Sequence, residues 1–310
     1  MPSADGEIAA IETIRRALPS PPPGEVWIGD DTAVVASPLG GPLLLAADVI
    51  VEGVHFDLDL VEVADVGFKA LAVNVSDIAA MGGQPLQALL TVVGAGASMV
   101  EALARGLAEA GAAYGCALVG GDLSAGPCLV VSVAITGTSA PRPPVLRSGA
   151  RPGDLLFVTG PLGRSAAGLR SLRAEAAGLG DAPYDLAAAY RRPAARLAEG
   201  QAASESGASA MIDVSDGLGI DLDRLATASG VGVVLDTVPV ATGATAEEAL
   251  GGGEDYELVF AAGDVGVVMN VFESAGLRPP LVIGACVADP ATRRLKDRPL
   301  EAAGWEHRLR

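Results

Sequence analysis

Five short acidic motifs, spread between residues 29 and 217, constrain this chain more than any other feature. They are Gly29-Asp30-Asp31, Ala47-Asp48, Asn74-Val75-Ser76-Asp77, Gly120-Gly121-Asp122 and Asp213-Val214-Ser215-Asp216-Gly217. Each places Asp beside Gly, Ser or Asn, at or near the end of an apolar run. A single Asp-Gly pair is normally only a turn. Five such motifs predict one assembled pocket of carboxylates, which would repel one another unless cations neutralise them.

The residue inventory favours a hard cation in that pocket. Carboxylate oxygens suit Mg²⁺, and Mg²⁺ held in this way most often serves phosphates. The chain has two His, His55 and His307, and three Cys without paired spacing, Cys116, Cys128 and Cys286. These few residues argue against a Ser-His-Asp hydrolase, a zinc site and a disulfide scaffold.

Charge and hydropathy limit the partners. The net charge of −17 disfavours binding to nucleic acid or to an anionic membrane. The uncharged stretch 78–100 is interrupted by Gly82-Gly83-Gln84-Pro85, so it predicts a helix end and a strand rather than a membrane span. Residues 1–16 show no signal peptide, and unpaired Cys predict a reducing cytoplasm.

Strand and helix patterns alternate in two halves, which predicts an α/β (α+β) fold. The first half predicts helices at 7–18, 61–81 and 99–114 and strands at 26–28, 33–36, 43–51, 86–93, 117–119 and 128–136. The second half predicts strands at 155–159, 231–235, 256–261 and 281–287 and helices at 165–172, 186–199, 220–228 and 265–275. Residues 139–153, rich in Pro and Arg, predict a linker, with domains at 1–140 and 141–310.

Three of the motifs favour function on their own. In Asp213-Val214-Ser215-Asp216-Gly217, Ser215 could be a helix N-cap, but a cap does not explain the two flanking Asp. Asp48 lies in the apolar run 43–51, where a charge is costly unless it is paired or metal-bound. The alternative is a strand end that opens to solvent. Asn74 and Asp77 share one helix face, and the helix dipole disfavours a carboxylate near the C-terminus unless a cation compensates. The alternative is a solvated stripe on an amphipathic helix.

Other motifs have structural alternatives of equal or greater weight. Gly120-Gly121-Asp122 is compatible with a tight turn. The segment 160–165 could hold an anion at a helix start, but packing is the favoured interpretation. Arg147 could bind a phosphate, although an exposed linker Arg is the simpler interpretation of that residue alone.

Taken together, the motifs resemble the thiamine-monophosphate kinase family of the aminoimidazole-ribonucleotide-synthetase (PurM-like) superfamily. The matching strings are Ile28-Gly29-Asp30-Asp31, Gly53-Val54-His55-Phe56, Lys69-Ala70-Leu71-Ala72-Val73-Asn74 with Asp77 to Met81-Gly82, Gly120-Gly121-Asp122, Arg147-Ser148-Gly149-Ala150 to Gly153-Asp154, Ile212-Asp213 to Gly217-Leu218 and Gly252-Gly253-Glu254-Asp255-Tyr256-Glu257-Leu258. They follow the family's order over nearly the whole chain. The strings at 53–56 and 252–258 distinguish this kinase within the superfamily.

The resemblance implies a two-domain PurM-like fold and a reaction. Residues 1–140 would form the domain that binds ATP and metal and dimerises through its sheet, and residues 141–310 an α/β domain that covers the site. ATP would phosphorylate thiamine monophosphate to thiamine diphosphate, assisted by several Mg²⁺ ions, with K⁺ as an optional cofactor. The acceptor is already an oxyanion, so no side-chain acid or base is required, and we expect direct in-line transfer.

The resemblance also implies roles for individual residues. Metal ligands are expected at Asp30, Asp48, Asp77, Asp122, Asp213 and Asp216. ATP contacts are expected at Tyr114, Gly121, Asp122, Arg147 and Ser215. Contacts to thiamine monophosphate are expected at His55, Glu254 and Trp305. The chain departs from the family at Ala46, Ala47 and Leu123, where hydroxyl residues are common, so we expect somewhat altered metal affinity.

Other functions stay open at the level of sequence. One is another ATP-using enzyme of the superfamily: a purine-pathway synthetase, a selenophosphate synthetase or a hydrogenase-maturation dehydratase. A selenophosphate synthetase would need a reactive Cys near the N-terminus, whereas the first Cys here is Cys116. A second is a non-catalytic Mg²⁺–nucleotide binding protein, which the intact set of carboxylates argues against. A scaffold role has only the expected dimer in its favour.

Overall fold

The computed structural model describes residues 21–37 and 41–306. The helices are α1 (Val63–Ala80), α2 (Ala97–Tyr114), α3 (Arg164–Ala176), α4 (Tyr184–Arg191), α5 (Leu197–Glu205), α6 (Leu218–Ser229), α7 (Ala246–Gly251) and α8 (Val265–Ser274). The strands are β1 (Ala33–Ala36), β2 (Pro42–Val51), β3 (Gln84–Val93), β4 (Ala117–Ser124), β5 (Val130–Thr138), β6 (Leu155–Val158), β7 (Ala210–Asp213), β8 (Gly232–Leu235), β9 (Leu258–Ala262), β10 (Leu281–Val287), β11 (Arg293–Leu295) and β12 (Arg298–Pro299). The helix predicted at 7–18 lies outside the described residues.

The first sheet has the order β1-β2-β5-β3-β4, with β3 and β4 parallel and the other neighbours antiparallel. Its strands are covered on one face only. Alternate residues of β5, such as Val131, Val133 and Ile135, are buried beneath α1 and α2. The other face exposes apolar side chains, with Leu89 53% and Val119 59% exposed.

Helix α1 is the centre of the molecule. Most of its residues are buried, because the first sheet, α2, α5 and β7 all contact it. Two glycines allow α1 and α2 to approach closely. A Cβ atom on Gly106 would lie 1.8 Å from the carbonyl oxygen of Ala64, and one on Gly67 would lie 2.3 Å from that of Leu103. The helix ends at Ala80, and the turn that follows it contains Gly82, whose φ of 65° suits glycine.

The second sheet has the order β12-β11-β8-β10-β6-β9-β7. It forms its own core, in which Phe157, Phe260 and Phe272 stack face to face. The edge strand β7 and helix α5 turn this half toward α1. A Cβ atom on Gly200 in α5 would lie 2.2 Å from the carbonyl oxygen of Ala79, so the two halves meet backbone to backbone. Strand β7 therefore ends beside α1.

The predicted α/β class is confirmed, and most elements lie where the periodicity predicts them. The strand at 281–287 has the predicted bounds, and α2 ends at Gly115 in the left-handed conformation. No described helix is long and apolar enough to cross a membrane. The boundary between residues 140 and 141 stays a prediction, with one sheet on each side of it.

Two predicted elements, the helix at 186–199 and the strand at 26–28, were wrong, and two of the structural alternatives do not hold. Gly120-Gly121-Asp122 is not a turn, because β4 continues through it. A Cβ atom on Gly121 would lie 1.7 Å from the carbonyl oxygen of Leu90, so glycine lets this strand lie against β3. The helix predicted at 186–199 is two helices, since Pro193 cannot donate a helical hydrogen bond. The strand predicted at 26–28 is a single bridge, and Ser215 does not cap α6, which begins after Gly217.

Candidate active site

Three carboxylates from distant parts of the chain meet beside α1. Oxygen atoms of Asp31, Asp77 and Asp213 all lie within 4.8 Å of one another. Asp31 precedes β1, Asp77 lies on α1, and Asp213 ends β7. We call these three residues the carboxylate trio. The fold thus brings together two of the implied metal ligands, and it adds Asp31, which was part of a recognised motif but not of the implied ligand set.

The electrostatics of the trio favour a cation. Burial, followed by the nearby charges of Asp48 and Asp213, raises the pKa of Asp77 well above its usual value. Burial and then Asp31 raise the pKa of Asp213 in the same way. Burial and Asp31 also raise the pKa of Asp30 to about 7. Ionised carboxylates are therefore disfavoured here by themselves, and a hard divalent ion with oxygen ligands would reverse that penalty.

Arg147 is not an exposed linker residue. Its Nε atom lies 3.0 Å from Oδ2 of Asp31 and its Nη2 atom 3.0 Å from Oδ1, a two-point ion pair with a fully buried carboxylate. The main-chain N–H of Arg147 donates to Oδ2 of Asp30 at 3.0 Å. An implied ATP contact thus lies directly against the carboxylate trio.

Helix α1 supplies two further polar side chains that fix the site. The Ser76 hydroxyl donates to Oδ2 of Asp213 at 2.6 Å. The Oδ1 atom of Asn74 accepts the N–H of Asp48 at 2.9 Å, and its Nδ2 donates to the carbonyl of Ala70. Asp48 is therefore anchored through its main chain, while its side chain is exposed at the surface of β2. Its charge still contributes to the raised pKa of Asp77.

Asp216 lies outside the trio. Its carboxylate accepts a hydrogen bond from Arg224, which also pairs with Asp221. The carboxylate of Asp221 in turn accepts the N–H groups of Asp216 and Gly217, each at 3.0 Å. The turn that holds Ser215 and Asp216 is thus shaped by a second acidic residue, Asp221, that the motif alone did not single out.

Asp122 and Gly121 lie away from the trio. Asp122 is exposed on β4, and register places it in line with Thr91, Ser132 and Val49 across the first sheet. That line belongs to the outer face, whereas α1 covers the other face. Asp122 on β4 is three strands away from Val49 on β2, and three strand spacings amount to roughly 14 Å. Within the described part of the chain, no hydrogen bond or ion pair joins Asp122 to the trio.

Tyr114, the remaining implied ATP contact, lies where the two halves meet. It ends α2, and its hydroxyl accepts the N–H of Ala195 at 3.1 Å. Its ring is tilted against Phe68 with centroids 6.0 Å apart. Tyr114 is therefore held by contacts from both halves of the chain.

Two of the residues implied to contact thiamine monophosphate, His55 and Glu254, are linked by a lysine to which the motifs gave no role. Lys69 on α1 donates from Nζ to the carbonyl of His55 at 3.2 Å, and Nζ lies 2.7 Å from Oε1 of Glu254. Trp305 is 53% exposed, and its main-chain N–H donates to the carbonyl of Asp216 at 2.9 Å. A charged residue inside the apolar helix was the signal that could have identified Lys69.

The helix start after β6 binds a carboxylate of the chain itself. The carboxylate of Asp255 accepts the N–H groups of Gly163 and Ser165 there. Next to it, Glu257 is 2% exposed and accepts two hydrogen bonds from Arg196. Within the segment 254–257, Asp255 and Glu257 therefore bind groups of the fold, whereas Glu254 pairs with Lys69.

Comparison with known proteins agrees with this architecture. The model of the AIR synthase related protein N-terminal domain matches residues 29–139, and that of the C-terminal domain matches residues 151–296. Thiamine-monophosphate kinase of Salmonella typhimurium (strain LT2) is 41% identical over 250 residues, covering 76% of this chain and 76% of that protein. The protein of the same name from Mycobacterium tuberculosis (strain H37Rv) is 39% identical over 276 residues, covering 82% and 80%.

A solved structure extends the similarity to three dimensions. "AaThiL complexed with AMPPCP and TMP" superposes with a TM-score of 0.85 at 34% identity and covers 97% of both chains. The two domain matches, the relatives and the shared PurM-like architecture agree with one another. This chain belongs to the thiamine-monophosphate kinase family of the AIR synthase related proteins.

Proposed function

We propose that this chain transfers the γ-phosphoryl group of ATP to thiamine monophosphate, giving thiamine diphosphate and ADP. The observation that carries the proposal is the convergence of Asp31, Asp77 and Asp213 beside Arg147, in a chain that matches thiamine-monophosphate kinases over most of its length. The similar structure in complex with AMPPCP and TMP supports the same pair of reactants.

The carboxylates would hold Mg²⁺. The trio offers oxygen ligands from three segments, and Asp30, Asp48 and Asp216 lie in the adjoining loops and strand as further ligands. All these donors are oxygens, which fits a hard divalent ion. Bound Mg²⁺ supplies neutralisation of phosphate charge and fixes the phosphate oxygens for transfer.

The protein then has to position the two reactants and neutralise the charge of their phosphates. The acceptor phosphate of thiamine monophosphate is already an oxyanion, so no general base has to remove a proton from it. We propose direct in-line transfer. Arg147 presents a planar fork of donors that matches a phosphate as well as a carboxylate. We propose that it exchanges part of its pairing with Asp31 for ATP phosphate oxygens, next to Ser215.

The outer face of the first sheet supports a homodimer. A groove there is lined by apolar and small side chains, among them Leu45, Leu89 and Val119. An exposed apolar sheet face of this extent is typical of a protein interface. Asp122 lies on that face, out of reach of the trio in its own protomer. We therefore propose that Gly121 and Asp122 complete the active site of the partner protomer.

The test is a direct assay. The purified protein is incubated with ATP, Mg²⁺ and thiamine monophosphate, and thiamine diphosphate is followed by chromatography. Product from wild type and none from Asp77→Asn or Asp213→Asn supports the reaction and the carboxylate assignment. Asp181→Asn, a change at an exposed aspartate, is the matched control and should be fully active. ATP binding without product would refute the proposed reaction.

The proposal also includes K⁺ as an optional cofactor and the cytoplasm as the location of the reaction. Replacing K⁺ by Na⁺ in the assay tests whether K⁺ assists the reaction. We place the reaction in the cytoplasm, which is supported by the three cysteines, Cys116, Cys128 and Cys286, all of which are free thiols.

A further inference from the structure

Lys69 is the most buried charged side chain in the interior of α1, with 2% of it exposed. Its helical neighbours Ala70, Leu71 and Val73 are apolar and buried. An ammonium group removed from water is costly unless it is paired and hydrogen-bonded. A buried ammonium at this position therefore needs partners that offset its desolvation cost.

Those partners come from three separate segments. The Nζ atom lies 2.7 Å from Oε1 of Glu254 in the loop after α7, and donates to the carbonyl of His55 in the loop after β2 at 3.2 Å. It also lies 4.4 Å from the centre of the Tyr190 ring on α4, a cation–π geometry. The ammonium thus joins both halves of the chain at one point.

Glu254 needs such an anchor because its backbone is strained. Its φ is 66° and that of Tyr256 is 51°, both in the left-handed region that non-glycine residues seldom adopt. Conformations of this kind cost energy and persist only where surrounding contacts determine them. The N–H of Glu254 donates to the carbonyl of Ser215 at 2.6 Å, and Lys69 fixes the carboxylate end.

The two members of the pair differ in access to solvent. The side chain of Glu254 is 24% exposed, whereas that of Lys69 is enclosed. A ligand at this surface can therefore reach the glutamate but not the lysine. Lys69 consequently acts through its neighbours rather than on a ligand.

We propose that Lys69 is a positioning residue for thiamine monophosphate: its buried ammonium holds the Glu254 carboxylate against the His55 segment, in the orientation that receives the substrate. This inference rests on the proposed function and deepens it. Under this proposal different residues determine the binding of the two reactants: Arg147 and the carboxylate trio for ATP, and Lys69 and Glu254 for thiamine monophosphate.

Steady-state kinetics of Lys69→Met test the proposal. Methionine keeps most of the length and the apolar character of the lysine stem and removes the charge. The expected result is a KM for thiamine monophosphate raised by roughly tenfold or more, with the KM for ATP within about twofold of wild type. Equal increases in both KM values, or an unchanged KM for thiamine monophosphate, would overturn the inference.

Arg192→Met is the matched control. Arg192 also joins the halves, pairing with Asp65 and Glu109 and lying 5.3 Å from the centre of the Phe68 ring. Its loss should lower stability without changing either KM by more than about twofold. A selective effect on the acceptor in Lys69→Met alone therefore identifies positioning rather than general loosening between the halves.

A double variant keeps the test decisive if Lys69→Met does not fold. Lys69→Met/Glu254→Gln leaves no unpaired charge at the site. If Lys69 acts through Glu254, its KM for thiamine monophosphate should be within about twofold of that of Glu254→Gln alone. A much higher KM in the double variant would overturn the inference. Absence of thiamine diphosphate from wild type would instead refute the proposed function, and this inference with it.

Discussion

Ser76 and Asp213 join the two halves of the chain at the carboxylate trio, through a 2.6 Å hydrogen bond from the serine hydroxyl to Oδ2 of the aspartate. Both side chains are buried, at 0% and 3% exposure. The bond lowers the pKa of Asp213 against the larger effect of burial. Ser76 therefore favours the ionised form of Asp213, which is the form that binds a cation.

Ser76→Ala should weaken this arrangement without removing a carboxylate. A hydrogen bond to a charged group contributes about 1.5–3 kcal/mol, so we expect the affinity for Mg²⁺ to fall by roughly tenfold. The measurement is the rise in unfolding temperature during a Mg²⁺ titration. Ser171→Ala, which removes a hydroxyl bonded only to the Ala167 carbonyl, is the control. Equal Mg²⁺ affinity in both variants would contradict this role for Ser76.

Asp77→Asn should stabilise the metal-free protein while abolishing its response to Mg²⁺. The wild-type carboxylate is disfavoured by burial and by the charges of Asp48 and Asp213, and an amide removes that repulsion. We expect a higher unfolding temperature in EDTA at pH 8, and little further increase on adding Mg²⁺. The same two measurements on wild type provide the comparison. A variant less stable than wild type in EDTA would show that the trio is not repulsive.

The metal-free protein should lose stability as pH rises from about 4 through about 7. The pKa values of Asp30, Asp77 and Asp213 are raised on folding, so above the ordinary pKa of aspartate the folded state binds more protons than the unfolded state. The free energy of unfolding therefore decreases through this range, which for Asp30 ends near its pKa of about 7.

Urea unfolding in EDTA at pH 5 and at pH 8 measures this effect. The net charge of −17 would contribute a fall in the same direction. Asp30→Asn separates the two causes, because it changes the total charge little but removes one group with a raised pKa. Its loss of stability between the two pH values should be smaller than that of wild type. An identical pH dependence would place the effect elsewhere in the molecule.

Periodicity was enough to predict most of the fold. Apolar runs and glycine stops located α1, α2 and β10 to within a few residues, because each is bounded by a local signal. The errors arose where the deciding contact is tertiary. Gly120 and Gly121 look like a turn in isolation, but the close approach of the Leu90 carbonyl makes them part of a strand.

The site was predictable as a list of acidic motifs but not as an arrangement. Asp77 and Asp213 do converge, whereas Asp122 lies on the other face of the sheet, a difference that depends on strand register. Lys69 and Asp221 were not assigned, because their partners, Glu254 and Arg224 among them, are set by the fold or by turn geometry. A charged residue in an apolar helix was the one local signal available.

Gly200→Ala should destabilise the contact between the halves. In a free helix this change stabilises by about 1 kcal/mol. Here the new Cβ atom would lie 2.2 Å from the carbonyl oxygen of Ala79, so the sign should reverse, with a loss of about 1–3 kcal/mol in the free energy of unfolding. Gly96→Ala, at the N-cap of α2, is the control for a Cβ that meets nothing within 4 Å; alanine is a poorer N-cap than glycine, so it should cost less than about 1 kcal/mol. Urea denaturation that shows Gly200→Ala to be as stable as wild type would contradict this packing.

The position of Asp122 leads to a prediction about mixed dimers. Asp122→Asn and Asp77→Asn should each be inactive as homodimers. If Asp122 serves the partner protomer, a mixed dimer contains one site with an intact trio from the Asp122→Asn chain and an intact Asp122 from the Asp77→Asn chain. That site should be active. If Asp122 serves its own protomer, both sites of the mixed dimer lack one carboxylate and activity should be absent.

The measurement is activity after mixing the two variants under conditions that allow subunits to exchange. Random pairing makes half of the dimers mixed, each with one intact site, so activity should recover to about a quarter of wild type. Leu89→Asp in both chains is the control: it places charge on the outer face, so size-exclusion chromatography should show monomers and mixing should restore nothing. Mixed dimers without activity would mean that Asp122 acts in the site of its own protomer. In that case β4 would have to move to bring Asp122 to the trio.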